Sequence, residues 1–258
     1  MTPAQLSSTV QHVLRGAVGD AAPGRVVVES PPRRGSGDYA TGAVLQAARA
    51  SGNDARRLAG TVADTLAGES GVAGVEVQGP GFLDVTLDAD GRAALVRALT
   101  GPDHSTPDAP AQDARRWAEA TGETPEASLP RTDGSSLFRV QYAHARTRAL
   151  LRNATDLGLR PGAGAGGHGY GAPAERGLLA LLADQRRIAE AGDAGRLARH
   201  LSAVADACHA FHEACPPLPR GDEKPGAAHR ARLALTEACG TVLAGGLFQL
   251  GVTAPAHL

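Results

Sequence analysis

The periodicity of this 258-residue chain changes near its middle, and that change limits the folds open to it. From Gly101 to about Ser136 the sequence is dominated by Pro, Asp, Thr, Gly and Ser, with one short helix predicted around residues 114–120. Residues before this stretch mix helix and strand patterns, whereas residues after it repeat at helical spacing alone. We therefore predict an α+β domain over residues 1–100, a linker over 101–137 and an all-α helical bundle over 138–258.

The first hundred residues carry both kinds of pattern. Apolar residues at helical spacing predict helices within 6–17 and 58–66. The β-branched run 25–30 predicts a short strand, and the segments 74–78 and 82–87 predict two more, joined by a Gly-Pro-Gly turn. On the last strand one face is expected to be apolar. The apolar face holds Leu83, Val85 and Leu87, and the other face holds Phe82, Asp84 and Thr86.

The last 120 residues or so predict an antiparallel bundle of helices. These helices are expected over 139–154, 174–191, 194–215 and 226–250. The third is the clearest, because its apolar residues advance by fours and threes after a candidate N-cap at Asp193. The apolar residues are Leu197, Leu201, Val204, Cys208, Phe211 and Cys215. The glycine-rich segment 162–171 is interpreted as a flexible loop rather than a phosphate cradle, since a helix and not a strand precedes it.

Composition narrows the classes of function. Lys and Arg total 26 against 27 for Asp and Glu, so a nucleic-acid binder would have to concentrate its cations locally, and DNA is not an expected partner. The sequence has no uninterrupted apolar run of membrane-spanning length and no basic-then-apolar N-terminal signal pattern. We therefore expect a cytoplasmic protein without a membrane partner.

Catalytic and metal-binding patterns are weak. Cys208, His212 and Cys215 share one side of a helix, and thiolate and imidazole suit zinc. The same spacing places both thiols on the apolar stripe, so core packing is the preferred interpretation. The sequence has no G-x-S-x-G motif, and no cysteine has a candidate base outside its own helix. We expect no catalytic residue, no metal and no cofactor.

The segment FRVQYAHARTRALL, residues 138–151, contains the best candidate binding surface. Tyr142, Arg146 and Asn153 share one helix face at spacings of four and seven residues. Residues 138–160 contain five arginines and one acid, which supplies the local positive charge that the whole chain lacks. An aromatic ring beside a guanidinium suits unstacked RNA bases, although a solvated helix face shows the same pattern.

Two blocks of the sequence resemble parts of one family. QYAHAR, AERGLLALLADQ, RLARHLSAVADACHAFHEAC and LGVTAPAHL, in this order, resemble the DALR-type anticodon-binding domain of arginyl-tRNA synthetases. GDYATGAVLQ and GPGFLDVTL resemble the N-terminal additional domain of the same enzymes, which contacts the tRNA elbow. That family places a class I catalytic domain between the two, and its HIGH-like and KMSKS-like motifs do not occur in this sequence.

The resemblance implies specific RNA contacts. Anticodon contacts are implied at Tyr142, Arg146, His212 and Leu258, and elbow contacts at Phe82 and Asp84. Three positions depart from the family pattern: Asp84 replaces the usual asparagine, Gly42 replaces the asparagine after GDYAT, and APAHL replaces APERM. An anion at residue 84 would repel phosphate.

The expected function is that of a non-catalytic arginyl-tRNA synthetase paralogue. It would bind tRNA, with arginine tRNA as the first choice, and act as a regulatory or accessory factor. Two alternatives stay open. The chain could be a protein-interaction module that has kept the fold and lost RNA binding, with an enzyme as its partner. It could also act in trans on arginyl-tRNA.

Overall fold

The computed structural model describes residues 1–31, 37–102 and 104–258. The chain forms two compact units, Met1–Leu95 and Val96–Leu258. Within the described ranges, no helix combines the length and the apolar content that a membrane span requires.

The first unit combines helices with a three-stranded antiparallel sheet in the order β1-β3-β2. Its helices are α1 Pro3–Val18, α2 Ala43–Ser51, α3 Ala55–Ala67 and the first part of α4 Ala89–Leu99, with a 3-10 turn at Gly19–Ala21. Its strands are β1 Tyr39–Thr41, β2 Val72–Gln78 and β3 Phe82–Leu87. The predicted α+β class is confirmed.

Local sequence explains these elements. Helix α1 begins at a capping box in which the Thr2 hydroxyl accepts the Gln5 N–H and the Gln5 side chain accepts the Thr2 N–H. The predicted hairpin of β2 and β3 is present, and the side chains of its apolar face are buried. The predicted strand over 25–30 is reduced to one bridge between Glu29 and Ala40, and beyond it Pro31 has no N–H to continue the ladder.

The second unit is a helical bundle, as predicted. Its helices after α4 are α5 Pro110–Thr121, α6 Pro125–Ser128, α7 Ser136–Asp156, α8 Pro173–Glu190, α9 Ala194–Ala214 and α10 Ala227–Gln249, with a 3-10 turn at Ala165–Gly167. Ser135 caps α7 by accepting the Phe138 N–H, and Asp193 caps α9 by accepting the Arg196 N–H. The whole apolar stripe predicted for α9 is buried.

The structure differs from the linker interpretation of residues 101–137. Helix α5 buries Ala114 and Trp117 completely, and the Trp117 indole donates to the Ser136 hydroxyl at 2.8 Å. Asp113 is also fully buried. A few apolar side chains at spacings of three and four are enough to attach a short helix to a bundle, even where the surrounding composition is polar.

The C-terminal tail after α10 is held against α5 and α7. The Asp113 carboxylate accepts the Thr253 N–H and the Gln141 amide, each at 2.9 Å, and also the Thr253 hydroxyl. One turn along α7, the His144 ring nitrogen Nδ1 lies 3.0 Å from the Pro255 carbonyl oxygen. The buried carboxylate of α5 therefore bonds both α7, through Gln141, and the C-terminal tail, through Thr253.

Candidate functional site

Tyr142 lies within a group of rings on the surface of the second unit. Its ring is nearly parallel to that of Phe138, with centroids 5.5 Å apart, and to that of His209, with centroids 5.6 Å apart. The Arg146 guanidinium donates to the Tyr142 hydroxyl at 3.4 Å. Tyr142 is 37% exposed, and Arg146 is exposed. We name Phe138, Tyr142, Arg146 and His209 the aromatic cluster.

Helix geometry explains how this cluster forms. Phe138, Tyr142 and Arg146 follow one another at intervals of four on α7, so they occupy one face. The opposite face buries Val140 and Thr147 in the bundle. The exposed face predicted from the sequence is therefore where the structure places it, whereas Phe138 and the ring from α9 were not predicted.

His212 does not join this surface. Its side chain is 2% exposed, and its Nε2 atom lies 3.8 Å from the Cys208 sulfur and 3.4 Å from the Thr236 hydroxyl. An RNA base cannot stack on a ring in this position. His209 instead extends from the same helix to Tyr142. The helical spacing could have predicted this difference in burial, because residue 212 shares its helix side with Cys208, while residue 209 is rotated by about 100° from Cys208.

The cysteines belong to the core, as the preferred interpretation predicted. Cys208, Cys215 and Cys239 are buried free thiols. A hydrogen bond from the Cys239 thiol holds the pKa of Cys208 well below its usual range, against the opposing effect of burial, and the same contact raises the pKa of Cys239. Within the described ranges, no group of three or more His, Cys, Asp or Glu side chains is placed to hold a metal ion.

Leu258 follows the part of the tail that is fixed to the later half of α7. The Arg152 guanidinium donates to the Ala256 carbonyl at 3.3 Å and lies 3.3 Å from His257 Nδ1. Arg152 is ten residues after Tyr142, which corresponds to roughly 15 Å along the helix. Leu258 itself is 41% exposed.

In the first unit, the two residues of the predicted elbow contact differ in accessibility. Phe82 is 48% exposed, and its ring covers Gly42, where a Cβ atom would lie 3.0 Å from the Phe82 ring carbon Cε1. Asp84 is only 5% exposed and pairs across the sheet with Glu76. Phe82 therefore remains available for a contact, whereas the Asp84 side chain is almost wholly covered.

The glycine-rich loop makes specific contacts with the bundle, which the flexible-loop interpretation did not predict. Tyr170 is buried with a φ of 51°, and its hydroxyl donates to the Ala231 carbonyl at 3.1 Å and accepts the Gly164 N–H at 3.3 Å. Burial raises the pKa of Tyr170 to about 12. The hydroxyl thus ties the loop to helix α10.

Two family models match the chain. The model described as the arginyl tRNA synthetase N terminal domain matches residues 4–87, and the model described as the DALR anticodon binding domain matches residues 140–258. An arginine–tRNA ligase of Micrococcus luteus is 43% identical over 120 residues, which cover 42% of this chain and 22% of that relative. The chain therefore spans well under two thirds of the length of this curated relative.

Two solved structures align with part of this chain. Thermus thermophilus arginyl-tRNA synthetase aligns with a TM-score of 0.45 and 23% identity over 66% of this chain and 31% of that one. A Campylobacter jejuni structure assigned to the arginyl-tRNA synthetases aligns with a TM-score of 0.45 and 15% identity over 57% of this chain and 33% of that one. The family matches occur in the order that the sequence motifs predict. They identify residues 4–87 as an arginyl-tRNA synthetase N-terminal domain and residues 140–258 as a DALR anticodon-binding domain.

Proposed function

We propose that this chain binds tRNA without aminoacylating it and acts as a regulatory or accessory factor. The observation that carries the proposal is the aromatic cluster, which presents a half-exposed tyrosine and an exposed guanidinium within a domain of the anticodon-binding family. Stacking of one RNA base on such a ring contributes about 1–3 kcal/mol. The guanidinium can bond a base edge or a phosphate beside the stacked base.

Further features support the finer parts of the proposal. The arginine–tRNA ligase relative favours arginine tRNA as the ligand. Residues 88–139, between the two family matches, contain neither a HIGH-like nor a KMSKS-like motif, which favours a non-catalytic role. Phe82 is the exposed ring that would meet the tRNA elbow. Leu258 remains a proposed anticodon contact and is exposed.

Replacement of Tyr142 tests the proposal. We expect Tyr142→Ala to weaken binding of arginine tRNA by about 5-fold to 100-fold, because one stacking contact is lost. Tyr142→Phe keeps the ring and should remain within about 3-fold of the wild type, since stacking needs the ring and not the hydroxyl. Fluorescence anisotropy with labelled tRNA measures both. Equal affinity of the wild type and Tyr142→Ala would refute this use of the cluster.

One observation favours protein interaction as a second candidate function. Glu76 is exposed on β2 beside the half-exposed Phe82, and the covered Asp84 is its direct cross-strand partner. An exposed carboxylate next to an exposed ring suits a basic protein surface better than RNA phosphates. Purification from cells with and without ribonuclease separates the two functions. A partner enzyme retained after ribonuclease treatment, with no tRNA bound before it, would support this candidate.

A further inference from the structure

Two arginines from distant parts of the sequence converge on the glycine-rich loop of the second unit. The Arg97 guanidinium, from the end of α4, donates to the Ala163 carbonyl at 3.3 Å. The Arg230 guanidinium, from the first turn of α10, lies along Gly162, with Nη2 and Nε 3.4 and 3.5 Å from the place a Cβ would occupy. The Gly162 N–H donates to the Arg230 carbonyl at 2.9 Å. Both arginines are exposed.

The loop that holds these arginines is fixed in place. A Cβ at Gly166 would lie 2.5 Å from the Cβ of Ala227, so the loop lies directly on the first turn of α10. The buried Tyr170 hydroxyl holds the other end of the loop. The N-terminus of α10 adds partial positive charge on the same side. The loop that the two guanidiniums contact is therefore tied to α10 at more than one point.

Acidic side chains near this loop already have internal partners. Glu175 is buried and accepts hydrogen bonds from His168 at 2.8 Å and from Arg232 at 3.1 Å. Glu223 lies 3.4 Å from the His229 ring nitrogen Nε2. These contacts partly offset the charge of the two carboxylates, whereas the Arg97 and Arg230 guanidiniums contact the loop without a carboxylate partner among the residues that the structure describes.

We propose that Arg97 and Arg230, with the loop at Gly162–Ala163, bind phosphates of an RNA backbone. The two loop residues are consecutive, with Cα atoms about 3.8 Å apart, so both guanidiniums can reach one phosphate or two neighbouring ones. Each guanidinium carries five donors, of which the loop uses few. The only part of this inference that rests on the proposed function is the identity of the RNA.

This phosphate site is distinct from the aromatic cluster. Tyr142 and the end of α7 at Asp156 are fourteen residues apart, or roughly 21 Å along the helix, and the loop follows that end. If the stem of a tRNA whose anticodon bases meet Tyr142 runs along α7, its backbone passes near the loop. Bases would then be read at one end of α7 and phosphates held at the other.

The salt dependence of tRNA binding tests the site. We expect Arg97→Gln/Arg230→Gln to reduce the slope of log affinity against log salt by about 2, because each phosphate contact contributes about 1. A control variant, Arg186→Gln/Arg196→Gln, removes the same charge from exposed positions elsewhere in the bundle and should keep the wild-type slope. Arg97→Lys/Arg230→Lys retains the charges and should keep most of the wild-type salt slope. Should the double glutamine variant fail to fold, Arg230→Gln alone is expected to reduce the magnitude of that slope by about 1.

A second probe separates this inference from the proposed function. Inorganic polyphosphate presents phosphates without bases, and the double glutamine variant is expected to bind it about 10-fold more weakly than the wild type does. If the wild type shows no tRNA binding but binds a homopolymeric RNA such as poly(U), and the double glutamine variant lowers the salt slope of that binding by about 2, the phosphate site stands and the proposed function fails. An unchanged salt slope with tRNA overturns the inference, even if polyphosphate binding falls, because the site would then take free anions only.

Discussion

His209 and His212 lie three residues apart on α9, yet they meet opposite environments. His209 contacts the exposed ring of Tyr142, whereas His212 contacts the buried Cys208 and Thr236. Three residues at about 100° each place the two side chains about 60° apart around the helix axis, which is enough to separate a surface position from a core position. At this scale, the burial of His212 is the main difference between the structure and the exposure expected from sequence.

Substitutions of the two histidines should therefore have different effects, one on RNA binding and the other on stability. We expect His209→Ala to weaken tRNA binding by about 3-fold to 10-fold through loss of a ring that supports Tyr142, with little change in the free energy of unfolding. His212→Ala should instead lower that free energy by about 1–3 kcal/mol, because it leaves a cavity and removes a polar contact. Anisotropy titrations and urea unfolding of both variants make the comparison. A loss of stability in His209→Ala as large as that in His212→Ala would contradict the assignment.

Tyr170 should make stability fall at high pH. Burial raises its pKa from 10.0 to about 12, so the unfolded chain loses this proton at a lower pH than the folded protein does. The stabilisation is complete below pH 10 and is lost as the pH rises through 12. Between about pH 9 and pH 11.5 the wild type should lose about 2 kcal/mol more stability than Tyr170→Phe, which has no proton to lose. Urea unfolding at the two pH values measures the difference, and equal losses would show that Tyr170 does not titrate in this way.

Among the elements, those with strong periodicity were predictable and those with mixed composition were not. The α9 stripe from Leu197 to Cys215 is buried throughout, as its spacing predicts. The sequence predicted helix α5 only as a short segment within a linker. Its main buried residues are Asp113 and Trp117, and a buried acid does not contribute to a pattern of apolar residues. Its partner Thr253 is 140 residues away, and single-sequence patterns do not report contacts at that range.

Packing between α9 and α10 depends on one glycine. A Cβ at Gly246 would lie 2.4 Å from Leu201 Cδ2, whereas a Cβ at the neighbouring Gly245 would have nothing within 4 Å. We expect Gly246→Ala to lower the free energy of unfolding by about 1–3 kcal/mol through overpacking. Gly245→Ala should raise it by up to about 1 kcal/mol, because alanine favours the helix. Thermal and urea unfolding distinguish the two, and a stabilised Gly246→Ala would contradict the close packing.

At the scale of the whole molecule, each compact unit carries its own candidate contact. The order of the two domains was predictable because each contributes its own motif block to the sequence. Neither motif block by itself indicates what the two domains do together in one chain. The M. luteus relative is matched over 22% of its length, so its activity belongs to a much larger protein.

Comparing whole tRNA with an isolated anticodon stem-loop tests whether both units bind one molecule. Whole tRNA should bind about 10-fold or more tightly than the stem-loop, because a second contact on the same ligand acts at high effective concentration. Phe82→Ala should reduce this advantage and leave stem-loop binding unchanged. Val77→Ala removes another exposed apolar side chain from the same sheet and serves as the control. Equal effects of Phe82→Ala on both RNAs would argue against an elbow contact.

The contact between Phe82 and Gly42 should couple the substitutions that are tolerated at these two positions, which lie forty residues apart in the sequence. A side chain introduced at residue 42 requires the ring of Phe82 to give way slightly, since the new Cβ would lie 3.0 Å from the ring carbon Cε1. A substitution at either position therefore changes which residues selection can accept at the other. Across homologues with this domain, we expect the asparagine that is usual at residue 42 to accompany a ring at residue 82 that is turned further from residue 42 than Phe82 is here, a difference that arises from steric exclusion alone.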